Sequence, residues 1–120
     1  TLIRSLAILK KRSVRPVELI LTTRIAPGLK HHRYDSTSTA RLIQDLGLAD
    51  DITMLGPVSS EHLPALYERA DVVVCPSYAE SFGHPMVEAM ASGLPLVVAD
   101  RGVHREICQG AAVYFPPFDD

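Results

Sequence analysis

The chain has 120 residues, 47% of them apolar and 22% charged, with a net charge of −2. That much apolar sequence excludes a disordered chain and fits one packed domain at most, and so small a charge gives no footing for nucleic acid or an anionic membrane surface. No apolar run reaches the length of a membrane span and no signal peptide is visible. The chain starts without Met, inside what reads as a helix, and stops at Asp119-Asp120, so it reads as a piece of a longer protein.

In chain order, Leu2, Leu6 and Leu9, with Ile3 and Ala7 beside them, recur at helical spacing, and Lys10, Lys11 and Arg12 close that helix with the charge its C-terminus favours. Val17 to Leu21 reads as a strand. The stretch from Thr22 to Thr39 is polar and irregular, carries Arg24, Lys30, His31, His32 and Arg33, and reads as a mobile surface loop. The His31-His32 pair has no further ligand at usable spacing, so no metal is expected there. The cluster Ser36 to Thr39 offers caps for a helix that carries Leu42, Ile43 and Leu46 and ends at Gly47. Ile52 to Leu55 is the next strand, followed by Gly56-Pro57. Ser59 or Ser60 is expected to cap a helix in which Leu63, Leu66, Tyr67 and Ala70 share one face, with Pro64 tolerated in the first turn.

The most informative stretch runs from Asp71 to Asp100. Val72 to Cys75 is a continuous apolar run, as in a strand buried on both faces. Pro76 and Ser77 end it, and a loop from Tyr78 to His84 follows. Pro85 opens a helix through Met86, Val87, Ala89, Met90 and Ala91, Gly93 caps it, and Leu96 to Val98 is a further strand. Arg101-Gly102 turns the chain, His104 to Cys108 is a short helix, and Ala112 to Phe115 is the last strand before Pro116-Pro117. Alternating strands and helices predict an α/β fold, a Rossmann-like parallel sheet with flanking helices and right-handed crossovers.

Ligands of such sheets bind at the carboxyl ends of the strands, where the loop after Cys75 lies. The helix that follows aims its N-terminus at the same place, with the amides of Gly83, His84, Met86 and Val87 available; its dipole favours an anion by about 0.3–1 kcal/mol. Glu80 and Glu88 flank this position, and carboxylates suit hydroxyls better than phosphate. The pair predicts a ligand with both phosphate and sugar hydroxyls. Cys75 and Cys108 show no metal or redox spacing, which points to a reducing, cytoplasmic setting.

Glu80-Ser-Phe-Gly-His-Pro-Met-Val-Glu88, continued by Ala-Met-Ala-Ser-Gly-Leu-Pro-Leu-Val-Val-Ala, resembles the Glu-x7-Glu signature of retaining glycosyltransferases with the GT-B fold, notably glycosyltransferase family four. Both glutamates, Phe82-Gly83, Pro85, Glu88-Ala89, Gly93 and Pro95 stand in register. The resemblance implies that residues 1–120 are part of a C-terminal nucleotide-sugar-binding domain. Its first strand, the Arg and Lys that clamp the diphosphate, and the N-terminal acceptor domain would lie outside this chain. It further implies transfer of a sugar from a nucleoside diphosphate sugar to a glycan or lipid-linked acceptor, with no metal or other cofactor, and leaves room for peripheral membrane association of the whole protein. The piece alone would be inactive, and its unfilled sheet edges would invite self-association.

By the same resemblance, Glu88 accepts hydrogen bonds from ribose hydroxyls, and Glu80 contacts the transferred sugar and supports charge at its anomeric carbon. Phe82, Gly83 and His84 belong to the loop whose amides hold sugar hydroxyls, with the His84 side chain a neighbour. The Met86 and Val87 amides face the diphosphate, and Leu55-Gly56 packs against the nucleobase. The sequence departs from the family pattern at Gly102-Val103, where many relatives have two glycines, and the nearby Glu106 reads as structural.

Other readings fit less well. A signalling receiver module needs an acidic cluster at its first strand and a late lysine, and Lys10, Lys11 and Lys30 are all early. A sugar-nucleotide epimerase shares the architecture but not the continuous string. Paired carboxylates also serve glycoside hydrolysis, yet two acids around a helix N-terminus favour a phosphate-bearing donor. No G-x-G-x-x-G follows a strand and no G-K-[ST] occurs, which disfavours dinucleotide and P-loop enzymes. Base, sugar, acceptor and linkage are not written in these residues.

Overall fold

The alternation of apolar runs with helical stripes folds into parallel strands flanked by helices. The computed structural model describes residues 1–26, 30–31 and 34–117. It comprises two compact units, residues 2–58 and the residues from 59 onward.

In the first unit, helix α1 (Leu2–Arg12) buries Ile3 and Leu6. Its apolar face centres between those two, so Leu9 falls at the margin and is 50% exposed, contrary to the stripe expected from the leucine spacing. Strand β1 (Leu19–Leu21) is shorter than the run from Val17 suggests. The polar stretch that follows is not loop throughout. Strands β2 (Lys30–His31) and β3 (Tyr34–Asp35) form a small antiparallel pair, and α2 (Thr37–Asp45) begins before the stretch was expected to end. His32 and Arg33 lie outside the described residues.

Ser36 occupies the cap position of α2, but its hydroxyl makes no cap bond to the helix. Its Oγ donates to the Ala26 carbonyl at 2.8 Å and accepts from the Ala26 amide at 3.4 Å, tying the chain after β1 to the start of α2. At the other end Gly47 turns left-handed at φ 64°. The Leu48 amide reaches the Ile43 carbonyl and the Gly47 amide the Gln44 carbonyl, each at 3.0 Å, a Schellman closure. This closure delivers Leu48, 1% exposed, into the core. A 3-10 turn (Ala49–Asp51) leads into β4 (Ile52–Met54), which pairs parallel with β1, Leu19 beside Ile52. Ile3, Leu6, Ile43, Leu48 and Ile52 form the core of this unit.

The second unit opens on a turn in which the Ser59 carbonyl accepts the amides of His62 and Leu63. His62, not Ser59 or Ser60, holds the cap position of α3 (Leu63–Arg69), and Ser59 Oγ pairs with His62 Nδ1 at 2.8 Å. The serine serves the imidazole, and its carbonyl serves the helix. Strands β5 (Val73–Cys75), β6 (Leu96–Ala99) and β7 (Val113–Phe115) form a parallel three-stranded sheet in that order, crossed by α4 (His84–Ala91) and α5 (Gly102–Cys108). The strand most fully buried is the central β6, with Leu96, Val98 and Ala99 inside; β5 is at the edge of this sheet and buries only Cys75. The expectation of a β5 buried on both faces is corrected accordingly, since an apolar run does not reveal which strand is central.

Cys75, Met86, Ala89, Leu96, Val98 and Cys108 form the second core. Burying a side chain such as Met86 or Val98 contributes about 1.5–3 kcal/mol. His104 is fully buried, with Nδ1 2.6 Å from the Ala99 carbonyl. A carbonyl only accepts, so Nδ1 carries the proton and locks α5 to the end of β6. Asp100 accepts both Nε and Nη2 of Arg105, at 2.5 and 2.6 Å, and this pairing holds its carboxyl below the ordinary range. The architecture is Rossmann-like α/β: parallel sheets with helices packed on them.

Candidate functional site

Strand β5 ends at Cys75, and the chain then turns through the Tyr78–Gly83 loop into α4. The helix starts at His84, one residue before the expected Pro85, which becomes its second residue. Gly83 makes this entry possible. It sits at φ 76°, and a Cβ there would stand 2.0 Å from Met86 Cε and 3.4 Å from Glu80 Cγ. Met86 is 1% exposed, so its terminal methyl would have to shift within the core to admit a Cβ. The backbone conformation requires a glycine here, and the packing favours one. The Glu80 stem lies over this glycine.

The Gly83 carbonyl accepts the Met86 amide at 2.9 Å and the Val87 amide at 3.5 Å. The two amides expected to face a diphosphate are thus engaged within the first turn, the second of them loosely. The Met86 side chain belongs to the core, while Val87 is 38% exposed. Ahead of that turn come the amides of Gly83 and His84. The far end of α4 closes as expected at Gly93, with Leu94 bonded to the Ala89 carbonyl and Gly93 to the Met90 carbonyl, each at 3.0 Å.

Glu88 is half-buried one turn into α4, and Tyr67 of α3 donates its hydroxyl to Glu88 Oε2 at 2.8 Å. Burial, then the hydrogen bond and charge of Glu88, push the Tyr67 phenol well above its ordinary value, so it stays a donor. Glu80 is exposed in the loop. Its charge reaches Cys75, whose thiol is pushed up to about 11, first by burial, then by Cys108 and Glu80. Phe82 and His84, both exposed, place their rings 5.0 Å apart at 59°. The Arg101 guanidinium stands 4.1 Å over the Tyr78 ring, bracing the loop from the β6–α5 side.

One loop and two helical turns therefore bring together Glu80, Phe82, Gly83, His84, Met86, Val87 and Glu88. Leu55 and Gly56 belong to the first unit. There the Leu55 amide extends the β1–β4 ladder to the Leu21 carbonyl at 2.9 Å, and Gly56, at φ 73°, lies under Arg24, whose Nε would be 2.9 Å from a Cβ. Glu106 lies on the exposed side of α5. Among the described residues, no three His, Cys, Asp or Glu side chains gather into a metal site. Nor is any described helix long and apolar enough to cross a membrane.

Sequence reading missed Tyr67 and treated it only as part of the apolar face of α3. The available signal was the hydroxyl itself, since a partly buried tyrosine usually finds a partner. Chemically, the site joins a helix N-terminus, which suits an anion, to a positioned carboxylate and an exposed one, which suit hydroxyls.

Residues 1–117 match the family described as glycosyl transferases group 1. The chain is 41% identical over 83 residues to the O-antigen chain mannosyltransferase RfbU of Salmonella typhimurium, covering 69% of this chain and 24% of that protein. It is 38% identical over 101 residues to the MMP alpha-(1->4)-mannosyltransferase of Mycolicibacterium hassiacum, covering 84% of this chain and 23% of that one. Against the D-inositol 3-phosphate glycosyltransferase of Salinispora arenicola it is 40% identical over 102 residues, covering 84% and 22%. The chain thus spans less than a quarter of the length of these curated relatives. Among solved structures, sucrose-phosphate synthase from Thermosynechococcus elongatus aligns over 98% of this chain and 29% of its own, with a TM-score of 0.67 and 27% identity. With the match running from the first helix to the end of the last strand, the chain belongs to the group 1 glycosyl transferases.

Proposed function

We propose that this chain is the donor-binding part of a retaining glycosyltransferase of the family-four type. The whole protein would move a sugar from a nucleoside diphosphate sugar to a hydroxyl of a glycan or lipid-linked acceptor, bound by a region outside residues 1–120. The observation that carries this reading is the pairing of Glu88, held by Tyr67 at 2.8 Å, with Glu80 over Gly83 at the mouth of the same helix. Glu88 takes the ribose hydroxyls, and Glu80 takes hydroxyls of the transferred sugar and supports positive charge developing at its anomeric carbon. The diphosphate meets the N-terminus of α4 at the Gly83 and His84 amides, and competes for the loosely bonded Val87 amide. Phe82 and His84 wall the sugar side. In this reading the dipole of α4, together with cationic groups from outside this chain, stabilises the leaving diphosphate with no metal. Residues 1–120 by themselves are inactive.

Calorimetric titration of the complete protein with UDP, GDP and ADP tests the reading. One nucleotide is expected to bind, and Glu88→Ala to weaken it about 10- to 150-fold, the range for a lost hydrogen bond to a charged acceptor. Equal affinity of the variant and the parent for every nucleotide overturns the assignment of Glu88.

A further inference from the structure

We propose that Tyr67 is a positioning residue that fixes the Glu88 carboxylate before any ligand arrives. The inference rests on the reading of Glu88 as an acceptor of nucleotide hydroxyls and extends it to a residue on a different helix.

A glutamate side chain one turn into a helix turns about three torsions, and a ligand that uses its carboxylate must first freeze them. Here the freezing is already done. Tyr67 rotates about only two torsions, and its ring packs against the core of Cys75, Met86, Ala89, Leu96, Val98 and Cys108. The ring position is therefore set by the packing of α3 on the sheet, and the hydroxyl delivers that position to Glu88 Oε2 at 2.8 Å. A carboxylate offers about four lone-pair directions on its two oxygens. The phenol occupies one, so Oε1 and the rest of Oε2 stay open to two neighbouring hydroxyls of a ligand. The phenol cannot reverse its role against an ionised carboxylate, and its raised pKa keeps the proton on it across the working range of pH. Tyr67 is not proposed to touch the ligand. It acts only through Glu88.

The test uses the complete protein, the nucleoside diphosphate that binds most tightly among UDP, GDP and ADP, and the corresponding nucleotide sugar. Tyr67→Phe keeps the ring and removes the hydroxyl, and water can replace it because Glu88 is only half-buried. The variant is expected to weaken nucleotide binding roughly 2- to 12-fold, the cost of ordering one flexible side chain on binding. KM for the nucleotide sugar should rise by the same factor with kcat unchanged, because the interaction is equal in ground and transition states. In a Glu88→Ala background, Tyr67→Phe should change nothing further. If Tyr67→Phe does not fold, Tyr67→Met, similar in bulk and without a hydroxyl, carries the same comparison. Unchanged affinity in Tyr67→Phe, while Glu88→Ala weakens binding, overturns the role of Tyr67 and leaves the site reading intact. A Tyr67→Phe effect of equal size in the Glu88→Ala background also overturns it, since the tyrosine would then act by another route. If Glu88→Ala itself binds nucleotide normally, the site reading fails, and the role of Tyr67 falls with it.

Discussion

Glu80 and Glu88 frame the same helix start and are held in opposite ways. Glu88 stands on α4, half-buried, its carboxylate pinned by a tyrosine whose ring packs against a core. Glu80 stands on a loop, exposed, its stem resting on Gly83 and its charge reaching Cys75. A group that binds the same hydroxyls in substrate and product gains from being fixed beforehand. A group that must follow charge as it appears at a reacting carbon needs proximity, and a loop supplies adjustment. Under the proposed function, the contrast would give recognition to the helix and response to the loop, with Gly83 as the joint between them.

Breaking that joint should have the largest effect. Gly83→Ala forces a side chain into a left-handed conformation, costing about 1–2 kcal/mol, and drives a methyl into buried Met86, costing about 1–3 kcal/mol more. Denaturant unfolding should show a combined loss of several kcal/mol, with nucleotide binding lost alongside. A variant as stable as the parent would show that α4 can begin without the glycine. Next in size, Glu80→Gln should slow sugar transfer on the order of 100-fold, as removal of one electrostatic stabiliser does elsewhere. Nucleotide affinity and stability should stay unchanged, which separates Glu80 from Glu88 in a single experiment. Loss of nucleotide binding in this variant would erase the division between helix and loop.

The smallest effect is on pH dependence. Cys75 has its thiol raised from 9.0 to about 11, so the folded chain holds a proton that the unfolded chain releases earlier. Its contribution to stability is therefore complete below pH 9 and lost as pH rises through about 11. Cysteine-selective carbon NMR should follow this titration. Glu80→Gln should move it to lower pH, because the neighbouring charge is one of its causes. A titration that ignores the substitution would show that the loop carries Glu80 away from Cys75 in solution.

Much of this molecule was legible from residues adjacent in the chain. Gly47 and Gly93 end their helices where only a left-handed residue fits, Pro64 sits in a first turn, and β1 and β4 to β7 follow their apolar runs. The carboxylate pair around the start of α4 was legible for the same reason. The loop and helix that carry it are contiguous, so spacing alone places both acids at one helix end. What needed the tertiary structure were pairings between segments far apart in sequence. Ser36 gives its hydroxyl to Ala26 instead of its own helix, Leu9 falls at the margin of the α1 face, and β6 rather than β5 takes the centre of its sheet. The bond from Tyr67 to Glu88 is of the same kind: it joins residues 21 positions apart. Side-chain chemistry names the groups able to bond, but only the packing of α3 against the core brings that hydroxyl to that carboxylate.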